Sequence, residues 1–175
     1  MKKIIVGISG ASGVRLGEKF IKALPKEYKV YVIPTCSAKI VSQKEENHTL
    51  LDNNDISEVT ASGSFGVDMM AVIPCSMNTL SKISCGIADN LLTRSAAVMI
   101  KEKKPLLIAP REMPYSAIDL ENMHKLSLLN VIIAPPVAGF YANIHALEDM
   151  ENFLIGRWFD LLSISNSLYK RWGEK

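Results

Sequence analysis

Cysteine is scarce in this chain, and what there is has no metal-binding rhythm. Cys36, Cys75 and Cys85 are the only three in 175 residues, none forms a CxxC pair, and the number is odd. That pattern excludes a disulfide scaffold and fits reduced thiols in a cytoplasmic protein. His48, His124 and His145 are equally scattered, so no metal site is expected. Charge of one sign is missing too: 20 basic against 18 acidic residues leave a formal charge of +2, with no basic block. Nucleic acid and an anionic membrane surface are therefore poor partners. No apolar run approaches the ~20 residues of a membrane span. The run after Met1-Lys2-Lys3 is broken by Gly7 before it reaches the length of a signal-peptide core, which again points to a cytoplasmic location.

What is abundant is apolar side chain, 48% of the total, with a slightly positive mean hydropathy. For one domain spanning residues 1–175 this excess suggests surface buried between subunits, a homo-oligomer. The apolar residues fall into short runs that end in Gly or Pro, at Lys3–Ile8, Lys29–Ile33, Met70–Ile73, Pro105–Ala109 and Val131–Ala134. Near-continuous runs of this kind are strands covered on both faces. Between them, Val14–Leu24, Ser37–Glu45, Asn78–Ser84, Ala88–Lys103, Ala117–Leu129 and Ala146–Ser163 carry helical periodicity. The last has a stripe of Leu147, Met150, Leu154, Trp158 and Leu161. Asn47–Phe65 is polar, with one short strand expected at Ser57–Thr60. The class is α/β: a Rossmann-like, doubly wound, mainly parallel sheet in one three-layer domain. Ligands of such sheets bind outside the carboxyl ends of the strands. Those ends carry Gly7–Gly13, Pro34-Thr35, Pro74-Cys75-Ser76, Pro110-Arg111-Glu112 and Pro135-Pro136.

The first of these ends, VGISGASG, has glycines at 7, 10 and 13. It is not a Walker A loop, since Val14 stands where a lysine is required. Nor is it a dinucleotide fingerprint. The spacing is GxxGxxG, and Ile33-Pro34-Thr35 occupy the place of the ribose-binding carboxylate. A single phosphate on the following helix end remains one reading. A tight turn with Ser12 as a helix cap is the other, and the loop by itself leaves both open. The third strand end offers Ser76, Asn78 and Thr79 at a helix start, either as ligands or as a cap.

Taken with PCSMNTLSKI, NLLTRSAAVMIKEKKPLLIAPRE, ENMHKLSLL, GFY and the terminal RWGE, the sequence resembles the UbiX-type flavin prenyltransferases along its whole length. This family was formerly described as 3-polyprenyl-4-hydroxybenzoate carboxy-lyases. The resemblance implies that reduced FMN accepts a dimethylallyl group from dimethylallyl monophosphate at N5 and C6, without metal. The product would be prenylated FMN for a UbiD-type decarboxylase. It also implies a dodecamer with active sites at subunit junctions. By the same resemblance FMN would contact Gly10, Ala11, Ser12, Thr35, Ser76, Met77, Asn78, Thr79 and Arg111. The substrate phosphate would be held by Lys101, Tyr141 and Arg157 with Arg94 in support, and Ser12, Glu45, Lys101 and Glu112 would be catalytic.

The residues can be weighed against that chemistry. There is no DDxxD, so positive side chains would have to stabilise a departing phosphate in place of a metal ion. Arg94 and Lys101 lie two turns apart on one predicted helix, about 10.5 Å along one face. Without the family they read as a solvated face, Arg157 as a snorkelling arginine and Tyr141 as an aromatic packing residue. Three departures from the family pattern stand out. Thr35-Cys36 replaces Ser-Lys, Glu45-Glu46-Asn47 replaces Glu-Thr-Asp and leaves two glutamates for one role, and Ala138 precedes the GFY. An FMN-dependent decarboxylase, which would need a histidine base, and a non-catalytic FMN-delivery protein are the alternative readings.

Overall fold

Apolar strands of period two need cover on both sides, and the computed structural model, which describes residues 1–35, 47–142 and 144–173, supplies it. In chain order the elements are β1 (Lys2–Ile8), α1 (Val14–Ala23), β2 (Tyr28–Pro34), β3 (His48–Leu50), β4 (Met69–Cys75), α2 (Met77–Ser84), α3 (Leu91–Lys101), β5 (Leu106–Pro110), α4 (Ala117–Leu128), β6 (Ile132–Ile133) and α5 (Leu147–Leu161). The strands form one sheet in the order β3-β2-β1-β4-β5-β6, every pairing parallel. This is the doubly wound order in which strand direction of travel reverses between β1 and β4.

Successive side chains along each strand feed two separate cores. Ile4, Val6, Ile8, Val30, Val32, Ala71, Ile73 and Leu107 meet α1 and α5 on one face. Ile5, Tyr31, Ile33, Met70, Val72, Leu106 and Ile108 meet α2, α3 and α4 on the other. On the first face Phe20 packs edge-on against Phe159 at 4.8 Å. The buried Trp158 donates its indole N–H to the Ala134 carbonyl at 3.0 Å. Glu151, also buried, ties α5 to α1 through ion pairs with Lys19 Nζ at 2.6 Å and Arg15 Nε at 3.1 Å. A carboxylate this enclosed needs such cations to remain charged.

The sequence reading differs from the structure in three places. The expected strand at Ser57–Thr60 is absent: that segment ends in a 3₁₀ turn at Val59–Ala61, and the extra strand is His48–Leu50. The cause is local. Asp52 and Asp55 accept backbone N–H bonds from residues two further on, Asn54 and Ser57, and these turns bend the chain away from the sheet. The helix expected from Ala88 begins at Leu91, because Asn90 and Thr93 form a reciprocal cap. On α5 the buried stripe is rotated from the expected one. Leu147 and Leu161 are exposed, and Phe153, Ile155 and Phe159 join Leu154 and Trp158 in the core. The helix predicted at Ser37–Glu45 lies outside the described residues.

Gly17 sets the distance between α1 and the sheet. A Cβ there would collide with the main-chain oxygen of Ile73 on β4, and backbone cannot swing aside as a side chain can. Gly17→Ala should therefore cost about 1–3 kcal/mol. Urea unfolding of the ligand-free protein would read this as a lower midpoint with an unchanged slope.

Candidate functional site

The crevice at the carboxyl edge opens between β1 and β4, and a serine holds its two lips at a fixed separation. Ser9, fully buried, donates from its hydroxyl to the Pro74 carbonyl at 3.1 Å. It also donates its N–H to the same oxygen at 3.2 Å. The hydroxyl in turn accepts from the Ser76 backbone N–H at 2.7 Å. Two further bonds fix the neighbouring strand ends: Thr35 N–H to the Ile8 carbonyl at 2.9 Å and Arg111 N–H to the Cys75 carbonyl at 3.0 Å. Gly10–Gly13, Thr35, Ser76–Thr79 and Arg111 are thereby assembled along one rim.

Above Ser9 the loop turns into α1 through Gly13, whose φ of 101° lies in the left-handed region that glycine tolerates. Ser12 does not cap α1: the helix start has no side-chain hydrogen bond, and Ser12 is exposed. Of the two readings of this loop, the capping one is thus removed. Among the described residues no side chain caps the first turn of this ten-residue helix, where Leu16 N–H bonds the Gly13 carbonyl at 2.8 Å, and such a helix end carries partial positive charge. Gly10 and Ser12 are exposed and Ala11 half-buried on the same loop.

The α2 end behaves differently. Ser76 caps the helix by accepting from Thr79 N–H at 3.3 Å and donates to the Thr79 hydroxyl at 3.1 Å. Thr79 is buried by this arrangement, Met77 is half-buried, and the Asn78 side chain is exposed at the rim. The cap reading therefore holds for Ser76 and Thr79, with Asn78 the group left open. Cys75, just before them, is fully buried, and burial pushes its thiol up to about 12. It is no nucleophile at neutral pH.

Arg111 carries the strongest signal at the rim. Its Nε is buried and has no hydrogen-bond partner among the described residues. An enclosed guanidinium N–H without an acceptor is costly, and a ligand oxygen or ring nitrogen would satisfy it. Together with the open α1 turn and the glycine loop, this set fits FMN: a place for one phosphate and a fixed cation toward the ring. Glu112 is exposed and accepts from Met113 N–H at 3.0 Å. Nearby, the Tyr115 hydroxyl donates to the Pro110 carbonyl at 3.4 Å. Burial, followed by the charges of Asp119 and Glu112, raises its pKa and keeps that phenol protonated. Among the described residues no group of His, Cys, Asp and Glu could hold a metal ion.

The four residues assigned to a substrate phosphate do not meet within one chain. Arg94 and Lys101 project from α3 on the second face, both exposed. Arg94 donates to the Ala61 carbonyl at 3.3 Å, and Lys101 pairs with Glu102 at 2.9 Å. Lys101 also sits in the last turn of α3, just before β5, at the amino edge of the sheet rather than the carboxyl edge. Tyr141 and Arg157 belong to the first face. The Tyr141 ring packs edge-on against Phe153 at 5.6 Å, and Arg157 on α5 bonds Asp160 at 3.3 Å and the Tyr169 hydroxyl at 3.4 Å. The Tyr169 bond, partly offset by burial and reinforced by Asp160 and Tyr141, raises the pKa of Arg157 further above its ordinary value. Glu45, the expected acid–base group, lies outside the described residues, as do Cys36 and Glu46.

Comparison with known proteins places this geometry in a class. A family profile described as Flavoprotein matches residues 1–159. The flavin prenyltransferase UbiX of Helicobacter pylori is 48% identical over 184 aligned positions, covering 98% of both chains. The crystal structure of AnUbiX (PadA1) in complex with FMN and dimethylallyl pyrophosphate superposes with a TM-score of 0.92 at 32% identity, covering 99% of this chain and 98% of that one. A dodecameric FMN-dependent UbiX-like decarboxylase from Escherichia coli O157:H7 superposes equally well, with a TM-score of 0.92, 34% identity and coverage of 98% and 100%. The chain belongs to the flavoprotein family and, within it, to the UbiX flavin prenyltransferases.

Sequence reasoning missed Ser9, whose only signal is a small hydroxyl residue directly after a buried strand. It also missed Tyr115, which has no periodic or motif signature. Replacing the orphaned cation tests the rim directly. Arg111→Gln should weaken FMN binding about 10–100-fold. Quenching of flavin fluorescence on titration would measure it.

Proposed function

We propose that this protein transfers a dimethylallyl group from an allylic phosphate ester to reduced FMN, yielding prenylated FMN. The observation that carries the reading is the buried, unpartnered Arg111 Nε beside the uncapped first turn of α1. That pairing asks for a ligand with a phosphate at one end and acceptor atoms at the other. Gly10, Ala11, Ser12, Thr35, Ser76, Met77, Asn78 and Thr79 line the rim from which such a ligand is held, the last by supporting the Ser76 cap.

Bound reduced FMN supplies the nucleophilic N5 and the C6 position that accept the prenyl carbons. The chain's own task is to help the phosphate leave. A leaving dianion is stabilised by fixed cations in a dry site, and Arg94, Lys101 and Arg157, with the Tyr141 hydroxyl as donor, fill that role. Arginine offers a planar fork to phosphate oxygens and lysine a compact charge. Glu45 and Glu112 are the carboxylates assigned to proton movement in this reading, one of them giving a proton to the departing phosphate or taking the ring proton. Ser12, exposed on the loop and not engaged in capping, is free to donate toward the flavin.

Because the four phosphate residues sit on opposite sides of the sheet, the reading requires two copies of the chain. Arg94 and Lys101 come from one, and the flavin rim comes from its neighbour. The apolar residues exposed at Met113, Ile118, Val137 and Phe140 are suited to such contacts. A dodecamer with sites at subunit junctions meets this requirement, and a UbiD-type decarboxylase is the consumer of the product. The decarboxylase alternative lacks a base. His48 opens β3 at its amino end, and His124 and His145 are exposed, so none of the three stands at a strand's carboxyl end.

Anaerobic incubation with reduced FMN and dimethylallyl monophosphate, with the pyrophosphate run in parallel, should give a flavin heavier by one prenyl unit on mass spectrometry, with no added metal. Unmodified FMN with both donors would overturn the reading. Lys101→Ala and Arg157→Ala should each lose at least about 100-fold in prenylation while FMN binds within about 2-fold of wild type. If sites are shared, co-assembling Arg111→Gln with Lys101→Ala subunits should restore part of the activity that each variant lacks alone.

A further inference from the structure

Behind Arg157 stands a carboxylate at the centre of a hydrogen-bonded cluster that the functional reading does not use. Asp160, one turn further along α5, accepts from Arg157 Nη1 at 3.3 Å and from the Tyr169 hydroxyl at 2.6 Å. It also accepts from Asn166 Nδ2 at 3.0 Å, Arg171 Nη1 at 3.1 Å and Arg171 Nη2 at 2.8 Å. Burial opposes the charge on this carboxyl, but the donors from Arg171, Tyr169 and Asn166 outweigh it and hold the group below the usual carboxylate range. Three of its partners belong to the segment that follows α5.

That segment is drawn back along the helix rather than away from it. Asn166 also donates to the Gly156 carbonyl at 3.3 Å. At Gly156 a Cβ would collide with the Tyr169 ring, so glycine is what lets the ring lie on the helix. From there edge-to-face contacts run from Tyr169 to Phe153 at 5.2 Å, from Phe153 to Tyr141 at 5.6 Å, and from Tyr141 to Trp172 at 5.2 Å. The strap therefore lies beside Tyr141 and Arg157, both of which keep an exposed face, and Asp160 is bonded to both the strap and Arg157.

We propose that Asp160 is a positioning residue for donor phosphate: it aims the Arg157 guanidinium directly and through Tyr169, and it latches the 166–172 strap beside Tyr141. This deepens the prenyltransferase reading and rests on it. Arg157 bonds Asp160 at 3.3 Å and Tyr169 at 3.4 Å, both through Nη1, so among the described residues its other N–H groups stay open for an anion. Arg171, by contrast, is held as a fork on Asp160. The strap thus has the stronger hold on the carboxylate, and the phosphate residue the weaker, releasable one.

The test compares Asp160→Asn and Tyr169→Phe with wild type on the FMN-loaded protein. Calorimetric titration with dimethylallyl monophosphate should show about 10-fold weaker binding for Asp160→Asn and a few-fold for Tyr169→Phe. In turnover the same factors should appear in KM rather than kcat, with FMN affinity unchanged. Trypsin should cut after Lys170 and Arg171 faster in Asp160→Asn, reporting release of the strap without reference to catalysis. A folded Asp160→Asn with unchanged donor affinity would sink the proposal, as would FMN affinity falling in step with it. Should Asp160→Asn fail to fold, an unchanged KM in Tyr169→Phe overturns it equally. If wild type binds no prenyl phosphate, the prenyltransferase reading fails and the positioning role with it. Faster strap cleavage in Asp160→Asn would then report the latch alone.

Discussion

The molecule turns on a serine hydroxyl at the point where the sheet changes direction. Ser9 bonds Pro74 and Ser76 from the end of β1, so the two adjacent strands whose following helices pass to opposite faces of the sheet are held together at their carboxyl ends. Because the group is buried, losing it would leave the Ser76 N–H without its acceptor and the Pro74 carbonyl with only the Ser9 N–H. Everything at the rim follows from this brace. The glycine loop leaves from Ser9 itself, α2 begins at Ser76, and Arg111 is hung from the Cys75 carbonyl one residue before Ser76.

A second constraint acts from behind. Gly17 lets α1 approach β4 until backbone meets backbone, and the Glu151 ion pairs hold α5 against α1. Close packing of the first helix keeps its amino end at the crevice rather than above it. The positive end of α1 then acts on a ligand at short range, where its partial charge is least screened. On the proposed reading, stability and function share the same contact: the glycine that tightens the core also sets the helix end offered to an anion.

How much of this could be read from residues alone depended on whether the signal was local. Strand runs such as Ile4–Ile8 and Met70–Ile73 are apolar on both faces, and that pattern survives any context, so five strands and the sheet type were legible. The sixth was not. His48–Leu50 is three residues long and gains its strand form from pairing with Val30–Val32, whereas Ser57–Thr60 has better strand composition but is overruled by its aspartate turns. At the rim, the motif pointed to Arg111 and the loop. It could not distinguish Ser12 as a cap from Ser12 as an open hydroxyl, since that depends on the left-handed turn at Gly13. Asp160 gave no signal at all, because its partners are gathered by the path of the chain after α5.

The division of the phosphate residues follows from the same topology. In a doubly wound sheet, the crossover helix before β5 must return to the amino edge, so Lys101, in its last turn, is carried away from the carboxyl rim of its own chain. No loop adjustment within one subunit reverses that. A cation from α3 can reach a flavin at the carboxyl edge only by lying on the surface of one copy and facing the crevice of another. Its exposure, which in an isolated chain reads as ordinary solvation, is then the condition for its use. On the proposed reading, assembly adds to the site what the fold withholds, and the apolar excess of the sequence and the placement of its cations express one requirement.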